Sequence, residues 1–256
     1  MANEHRAAYR KARPFPHAVL DNFLPEAAID EVLAEFPAPG EAIWRQFDSD
    51  QELKLASTDT RLMGPATASL LAELNSAPFL DFLGDLTGIS GLVADPHFFG
   101  GGLHQIEPGG FLEVHADFKL HPATRLERRL NLLLYLNRGW RREWRGALEL
   151  WNRDLTRSVA RIDPTWNRCV IFTTTDTSFH GHPAPLACPP GTTRKSLALY
   201  YYSVPAAGAA DDHNTLFQER ADGTTDRARH WARELLPPVA VKAAGRVRRR
   251  WSERRR

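Results

Sequence analysis

Cysteine is scarce in this chain, whose 256 residues include only Cys169 and Cys188. Two thiols form at most one disulfide, and they cannot supply the ligands of a thiolate metal cluster. We therefore exclude a disulfide framework and a thiolate cluster, and we expect both cysteines to be core or surface thiols.

Long apolar stretches are also missing. Residues 130–136 are an example of the longest apolar runs, and Asn131 interrupts this one. They fall far short of the roughly 20 residues that cross a bilayer. The N-terminal residues 1–11 are charged and lack the apolar stretch of a signal peptide. We therefore expect no membrane span and a cytoplasmic location.

A strong overall charge is absent as well, since 33 basic and 31 acidic residues leave a net charge of +2. The basic residues are unevenly placed, because residues 242–256 hold eight of them beside Glu253. A general nucleic-acid binder carries basic residues across a folded face as well as in a tail, so we expect no nucleic-acid partner. The tail is either a solvated end or a contact for an acidic partner or anionic surface.

Residues 1–95 are predicted to form a helical support that belongs to the same domain as residues 96–205. Alternating apolar and polar residues between prolines indicate a short strand within residues 14–24. A helix is predicted from Pro25, where apolar residues recur at helical spacing. A second helical stretch over residues 66–86 is expected to divide at Pro78.

The character of the sequence changes at Pro96. Short segments rich in β-branched and aromatic residues alternate with turn signals, which indicates an all-β sandwich or barrel over residues 96–205. The segments are HFFGGGLHQI, FLEVHADF, RLNLLLYLN, ALELWN, SVARI, CVIFTTT and SLALYYYS. Residues 206–256 are predicted to be a peripheral region with a weak helix at 226–236.

One histidine and one aspartate in FLEVHADF are separated by a single residue. Alternation along a strand places His115 and Asp117 on the same face, where they form a pair of metal ligands. A third donor must come from elsewhere, and His180, just after CVIFTTT, is the candidate. Two histidines and one carboxylate with open coordination positions are typical of non-haem iron(II) oxygenases. Because the chain has ten histidines, a pair of surface or hydrogen-bonded strand residues is the alternative.

The next strand adds a feature that suits an anion. Arg194 opens RKSLALYYYS, and a buried arginine beside a metal is costly without an anionic partner. Its planar guanidinium matches a carboxylate through two hydrogen bonds. Ser196 faces the same way and can donate a further bond to the same group.

In this order, the segments resemble the iron(II)- and 2-oxoglutarate-dependent dioxygenases of the prolyl 4-hydroxylase-like group. The resemblance runs from about Phe99 to Ser203, through FLEVHAD, RLNLLLYLN, GALELW, FHGHPAP and RKSLALYYYS. The flanking FPHAVLDNFLP and HNTLFQER are similar to bacterial stand-alone members. The resemblance implies a mainly β fold with flanking helices, whose core is a double-stranded β-helix of jelly-roll, cupin-like shape.

The resemblance also implies roles for individual residues. It makes His115, Asp117 and His180 the iron ligands, with His182 as the alternative to His180. It makes Arg194 the partner of the distal carboxylate of 2-oxoglutarate.

Further residues of the cosubstrate pocket are implied by the same match. Tyr135 would direct its hydroxyl to the distal carboxylate, beside Ser196. Asn131 would line the pocket, and Leu148 would form an apolar wall.

The implied reaction is hydroxylation of an unactivated C–H bond by O₂, with iron(II) and 2-oxoglutarate, release of succinate and CO₂, and ascorbate as a further reductant. The substrate would be a small molecule or a prolyl or other amino-acyl group. Residues 44–60 and 119–129 are candidates to cover the iron. Arg125, Arg128 and Arg129 in the second segment raise the hypothesis of an anionic substrate, against a simply solvated loop.

Two other functional classes use the same metal ligands. One is a cupin-like metal-dependent hydrolase or isomerase, which has no built-in need for the carboxylate anchor Arg194. The other is a non-catalytic metal-binding module, for which open coordination positions have no purpose.

Overall fold

The computed structural model of the chain describes residues 2–205 and 213–217. The helix predicted at residues 226–236 and the basic tail at 242–256 lie outside the described residues.

The α-helices of the described ranges precede the main β region, and proline and glycine mark several of their ends. Pro25 is the N-cap of the second helix, and Gly88 ends the fourth with a φ of 79°, a left-handed conformation that suits glycine. The helix predicted after Pro25 and the division near Pro78 are both present. None of these helices has the length and apolar character that crossing a membrane requires. They are α1 (Ala2–Lys11), α2 (Glu26–Ala34), α3 (Pro65–Leu74) and α4 (Ala77–Thr87).

Helix α1 has no counterpart among the sequence predictions, because its many charged residues obscure any apolar periodicity. It packs against α4, and Tyr9 is buried with its hydroxyl 2.6 Å from Thr173 Oγ1. Tertiary packing thus stabilises a helix that local propensity does not reveal.

Each of the seven apolar segments contains a strand, and shorter strands surround them. The hairpin of β2 and β3 and the short β11 are additions to the prediction. The strands are β1 (His17–Leu20), β2 (Arg45–Asp48), β3 (Glu52–Ser57), β4 (Val93–Ala94), β5 (Gly102–Ile106), β6 (Phe111–Ala116), β7 (Glu127–Tyr135), β8 (Leu148–Trp151), β9 (Ser158–Ile162), β10 (Arg168–Thr173), β11 (His180–His182), β12 (Arg194–Ser203) and β13 (Leu216–Phe217).

The eight strands from β5 to β12 form two facing layers. One layer has the order β10-β7-β12-β5 and the other the order β6-β11-β8-β9, with antiparallel pairing throughout. The chain passes repeatedly from one layer to the other, which is the path of a double-stranded β-helix. The predicted fold class is confirmed. β3 pairs with both β5 and β6, so the N-terminal region contributes strands to the sheet as well as supporting helices.

The two faces of β7 have different functions. Leu130, Leu132 and Leu134 pack into the apolar core shared with the helices. Asn131 and Leu133 point the other way and line a cavity between the layers. Because successive side chains of a strand point to opposite faces, one strand both holds the helical support and builds the site.

Candidate active site

A cavity of about 780 Å³ lies between the two β layers. Its walls include residues of β3, β5, β6, β7, β11 and β12. The structure brings together all but one of the residues that the sequence analysis assigned to the site. Those that line the cavity are His115, Asp117, Asn131, Leu148, His180, Arg194 and Ser196, and the exception is Tyr135, which lies behind Arg194.

Strand pairing places the candidate metal ligands next to one another. His180 on β11 lies directly opposite His115 on β6, and Asp117 follows the end of β6. One ligand atom from each of the three residues can be chosen so that all lie within 4.8 Å of one another. Nε2 of His115 is 3.6 Å from Asp117 Oδ1, and Nε2 of His180 is 3.5 Å from Asp117 Oδ2.

Backbone carbonyls orient both imidazoles. Nδ1 of His115 is 2.8 Å from the carbonyl oxygen of Glu113, and Nδ1 of His180 is 2.9 Å from that of Ser178. A carbonyl oxygen only accepts, so each Nδ1 carries the hydrogen and each Nε2 keeps a lone pair for a metal. Burial lowers the pKa of His180 to about 4, so its ring is neutral near pH 7. This donor set fits a divalent ion such as iron(II).

Two neighbours hold the carboxylate of Asp117. Asn131 Nδ2 donates to Oδ2 at 2.8 Å, and the Arg128 guanidinium lies 3.2 Å from the same oxygen. Burial disfavours the charged carboxylate, but Arg128 and the ligand histidines outweigh that effect and hold the pKa of Asp117 well below its usual value. The third ligand is therefore an ionised carboxylate.

Arg194 forms a second charged centre in the same cavity. It is only 4% exposed, and its Nε donates to the carbonyl oxygen of Gly146 at 2.8 Å. One Nη donates to the hydroxyl of Tyr135 at 3.2 Å, and Tyr135 lies fully buried behind it. Burial lowers the pKa of Arg194, although a guanidinium stays charged. No carboxylate of residues 2–205 or 213–217 pairs with it, so this end of the cavity suits an anionic ligand.

Three further polar residues line the cavity wall: His104, which sequence reasoning missed, His182, the alternative metal ligand, and Lys54, from the segment 44–60 that was expected to cover the iron. His104 on β5 lies directly opposite Ser196 on β12. Pairing these two strands from their sequences would therefore have placed His104 in the cavity wall. His182 is 3% exposed, and neither of its ring nitrogens has a hydrogen-bond partner within the described part of the chain. Lys54 reaches the cavity from β3 and pairs with Glu52 at 2.8 Å. Its exact position in the wall depends on the long-range pairing of β3 with β5 and β6.

The segment 213–217 covers one side of the metal ligands. Strand β13 pairs with β6 so that Phe217 lies opposite His115, with 5.3 Å between the ring centres. His213 Nε2 lies 3.1 Å from Asp176 Oδ1, which fixes the start of the segment. Thr215 and Phe217 line the cavity.

A jelly-roll barrel that places two histidines, one carboxylate and a buried arginine around one cavity has the donor groups that one metal ion and an anionic ligand would need. Residues 101–202 match the model of the 2OG-Fe(II) oxygenase superfamily, where 2OG is 2-oxoglutarate. No curated protein matches the chain.

Three solved structures are similar in fold. A Pseudomonas putida prolyl-4-hydroxylase has a TM-score of 0.56 at 16% identity, over 80% of this chain and 100% of that one. A Trichoplax adhaerens prolyl hydroxylase, in complex with a peptide fragment of the hypoxia inducible factor oxygen degradation domain, has a TM-score of 0.50 at 18% identity, over 78% and 89%. HygX from Streptomyces hygroscopicus, with nickel, 2-oxoglutarate and hygromycin B bound, has a TM-score of 0.51 at 12% identity, over 86% and 98%.

The family match confirms the resemblance that the sequence motifs indicated. Residues 101–202 carry the pattern of this superfamily, and the fold is shared with prolyl hydroxylases and with HygX, which was solved with hygromycin B bound.

Proposed function

We propose that the protein hydroxylates an unactivated C–H bond of a small molecule or of a prolyl or other amino-acyl group. The observation that carries the proposal is the presence of the triad and of the unpaired Arg194 in one cavity. A metal site alone would also suit a hydrolase, an isomerase or a binding module. The buried guanidinium adds a place for the distal carboxylate of 2-oxoglutarate.

His115, Asp117 and His180 would hold iron(II) on one face of the ion. When bound there with 2-oxoglutarate and O₂, the iron supplies the oxidising power of the reaction, and succinate and CO₂ are the coproducts. The two histidines would bind the ion through Nε2, because their Nδ1 hydrogens are held by the carbonyl oxygens of Glu113 and Ser178.

The chain's remaining task is to orient the cosubstrate and exclude water. Arg194 and the hydroxyl of Tyr135 would bind the distal carboxylate, and Ser196 lies on the same face of β12. Leu133 and Leu148 form apolar parts of the cavity wall. A charged anchor within apolar walls fixes the cosubstrate in one orientation relative to the triad.

Two observations bear on the substrate. The cavity of about 780 Å³ falls in the range of roughly 300–1,000 Å³ that small-molecule sites occupy. Of the three arginines in the basic segment, only Arg128 lines the cavity, and it already contacts Asp117. The basic segment therefore gives little separate support for an anionic substrate, and the cavity volume favours a compact molecule or a single side chain of a peptide.

Location and further partners stay predictions. A cytoplasmic setting is consistent with the proposed reaction, which needs 2-oxoglutarate and reduced iron. An acidic partner for residues 242–256 is proposed from their charge alone.

The test is an anaerobic titration with iron(II) and then 2-oxoglutarate, followed by the weak visible charge-transfer band of the chelated keto acid. We expect the band in the wild-type protein, its loss in His180→Ala and its weakening in Arg194→Met. His17→Ala, on β1 and outside the cavity, serves as the matched histidine control. Iron binding without a band would remove the cosubstrate assignment, and no iron binding would remove the proposal altogether.

Succinate release then serves to screen substrates under air. Proline-containing peptides and compact small molecules form the two arms of the screen. If only the peptides or only the small molecules increase succinate release, that result decides the substrate class. A product that gains the mass of one oxygen atom establishes hydroxylation.

A further inference from the structure

His182 is a buried histidine whose ring nitrogens have no hydrogen-bond partner among residues 2–205 and 213–217. The residue is 3% exposed, yet both Nδ1 and Nε2 lack a partner. Most buried polar groups are hydrogen-bonded, because burial without such a bond costs free energy. The ring lines the cavity between the two β layers. We therefore expect its partner to be a group that enters this cavity.

Strand β11 places His182 at a defined distance from the metal ligands. His180 and His182 both line the cavity, with Gly181 between them. His180 lies opposite His115, whereas His182 lies opposite Leu112. A strand rises about 3.3 Å per residue, so a step of two residues separates the two histidines by roughly 6.6 Å. This separation is comparable to the length of a five-carbon dicarboxylate that is bound at the metal.

The charged neighbours of His182 show which end of the cavity it occupies. Burial lowers the pKa of His182 well below its usual value, and Arg194 and then Lys54 are the charged groups that add most to this effect. Both cations also line the cavity. Lys54 is paired with Glu52, whereas Arg194 has no carboxylate partner in the described ranges. His182 therefore lies at the arginine end of the cavity, where an anionic group is favoured.

The donors assigned so far to the distal carboxylate of 2-oxoglutarate come from one layer of the barrel. Arg194 and Ser196 belong to β12, and Tyr135 belongs to the neighbouring β7. A carboxylate has two oxygens and about four lone-pair directions, and donors on one side of it do not reach them all. Strand β11 belongs to the opposite layer. A ring nitrogen of His182 would therefore meet the carboxylate from the side that β7 and β12 leave open.

We propose that His182 binds the distal carboxylate of 2-oxoglutarate, to which it donates a hydrogen bond from the layer opposite Arg194. The inference rests on the proposed function, which supplies the cosubstrate. It gives the two histidines of β11 different roles, since His180 binds the metal and His182 binds the far end of the cosubstrate. One short strand thus sets the distance between the metal and the anchored carboxylate.

The test uses two variants of the full chain that remove both ring nitrogens of His182. His182→Leu replaces the ring by a smaller apolar side chain, and His182→Phe keeps a ring. His17→Phe is the matched control, because His17 lies on β1 and outside this cavity. Dissociation constants for 2-oxoglutarate are measured anaerobically on the iron(II)-loaded protein. Those for 2-oxobutyrate, which has the keto acid group but no distal carboxylate, are measured in parallel.

We expect both variants to raise the dissociation constant of 2-oxoglutarate roughly 10- to 100-fold, as loss of one hydrogen bond to a charged group does. The constants for 2-oxobutyrate and for iron(II) should stay within about twofold of the wild type, because His182 would contact neither the keto acid group nor the metal. The control should match the wild type for all three ligands. A wild-type constant for 2-oxoglutarate in a variant that folds by circular dichroism, or an equal loss for 2-oxobutyrate, would overturn the proposal.

Nitrogen NMR of the wild type gives a second readout, which a purely structural role of His182 would not move. The protein carries ¹⁵N-labelled histidine and zinc(II), a diamagnetic substitute for iron(II). Addition of 2-oxoglutarate should shift the ring signals of His182, which are assigned by their loss in the folded variant, and 2-oxobutyrate should leave them in place. Unchanged signals with 2-oxoglutarate bound would show that the ring has another partner and would refute the contact. Failure of the wild type to bind 2-oxoglutarate would instead refute the proposed function.

Discussion

Replacing Arg194 by methionine should abolish tight 2-oxoglutarate binding and leave the stability of the cosubstrate-free protein nearly unchanged. Arg194 is buried, and no carboxylate of the described ranges pairs with it. If Arg194 served only the stability of the fold, its replacement would lower the free energy of unfolding whether or not 2-oxoglutarate is present.

The magnitudes follow from the contacts of the guanidinium. Each hydrogen bond between charged partners contributes about 1.5–3 kcal/mol, so two bonds to a carboxylate correspond to a loss of roughly 10²- to 10⁴-fold in affinity. In the free protein, removal of an uncompensated buried cation is favourable by several kcal/mol. That gain is offset because Gly146 O and Tyr135 Oη lose a donor, at about 1–3 kcal/mol each.

Thermal unfolding with iron(II), with and without 2-oxoglutarate, is the assay. A ligand present at 100 times its dissociation constant stabilises the folded state by about 2.7 kcal/mol, so the wild-type Tm should rise clearly and the Tm of Arg194→Met should not. Arg168→Met is the control, since Arg168 pairs with Asp21 at 2.6 Å outside the cavity. It should lower the Tm slightly and keep the 2-oxoglutarate shift. A full shift in Arg194→Met would refute the anchoring role.

Three further perturbations test the site from other directions. His180→Ala should abolish metal binding in an anaerobic titration, whereas His182→Ala should retain it; the reverse result would exchange the two assignments. Gly146→Ala should weaken 2-oxoglutarate binding and lower the Tm together, because Gly146 has a φ of 75° and an added Cβ would lie 3.1 Å from Arg194 Cδ. Stability of the metal-free protein should fall between pH 6.5 and pH 4. Burial holds the pKa values of His104 and His180 at about 3 and about 4, so the unfolded chain binds more protons there, which lowers stability by up to about 1.4 kcal/mol per pH unit for each histidine. Urea unfolding at a series of pH values measures the slope, and a flat profile would contradict it.

The parts of the fold that were predictable are those whose signal is local. Alternation along FLEVHADF predicts that His115 and Asp117 lie on one face, and a ligand atom of each lies within 4.8 Å of the other in the cavity wall. The segment RKSLALYYYS similarly placed Arg194 and Ser196 on the same side of one strand, and both line the cavity. Period-two patterning determines which face a residue occupies, so a strand that is correctly located gives the direction of its side chains as well.

The unpredicted parts depend on contacts between distant segments. Arg128 falls in a basic stretch that suggests a solvated loop or an anion contact, and only the bulge opposite Tyr201 and Tyr202 turns it toward Asp117. Residues 44–60 were expected near the iron, but the place of Lys54 in the cavity wall follows from the pairing of β3 with both layers. A bulge and a strand pairing are properties of two segments together, so neither can be read from one of them.

The metal site depends on close approach between β6 and β11, and the sequence between the two histidines on β11 permits it. Gly181 lies between His180 and His182, and an added Cβ there would come within 2.8 Å of the carbonyl oxygen of Glu113. That residue is also the one whose carbonyl accepts from Nδ1 of His115. The carbonyl of Glu113 on β6 thus orients the imidazole of His115. The same carbonyl limits how closely β11, which bears His180, can approach β6. A side chain at position 181 would push β6 and β11 apart and so increase the distance between His115 and His180. The glycine in FHGHPAP keeps that distance short. The register of β6 and β11 therefore determines the geometry of the triad as well.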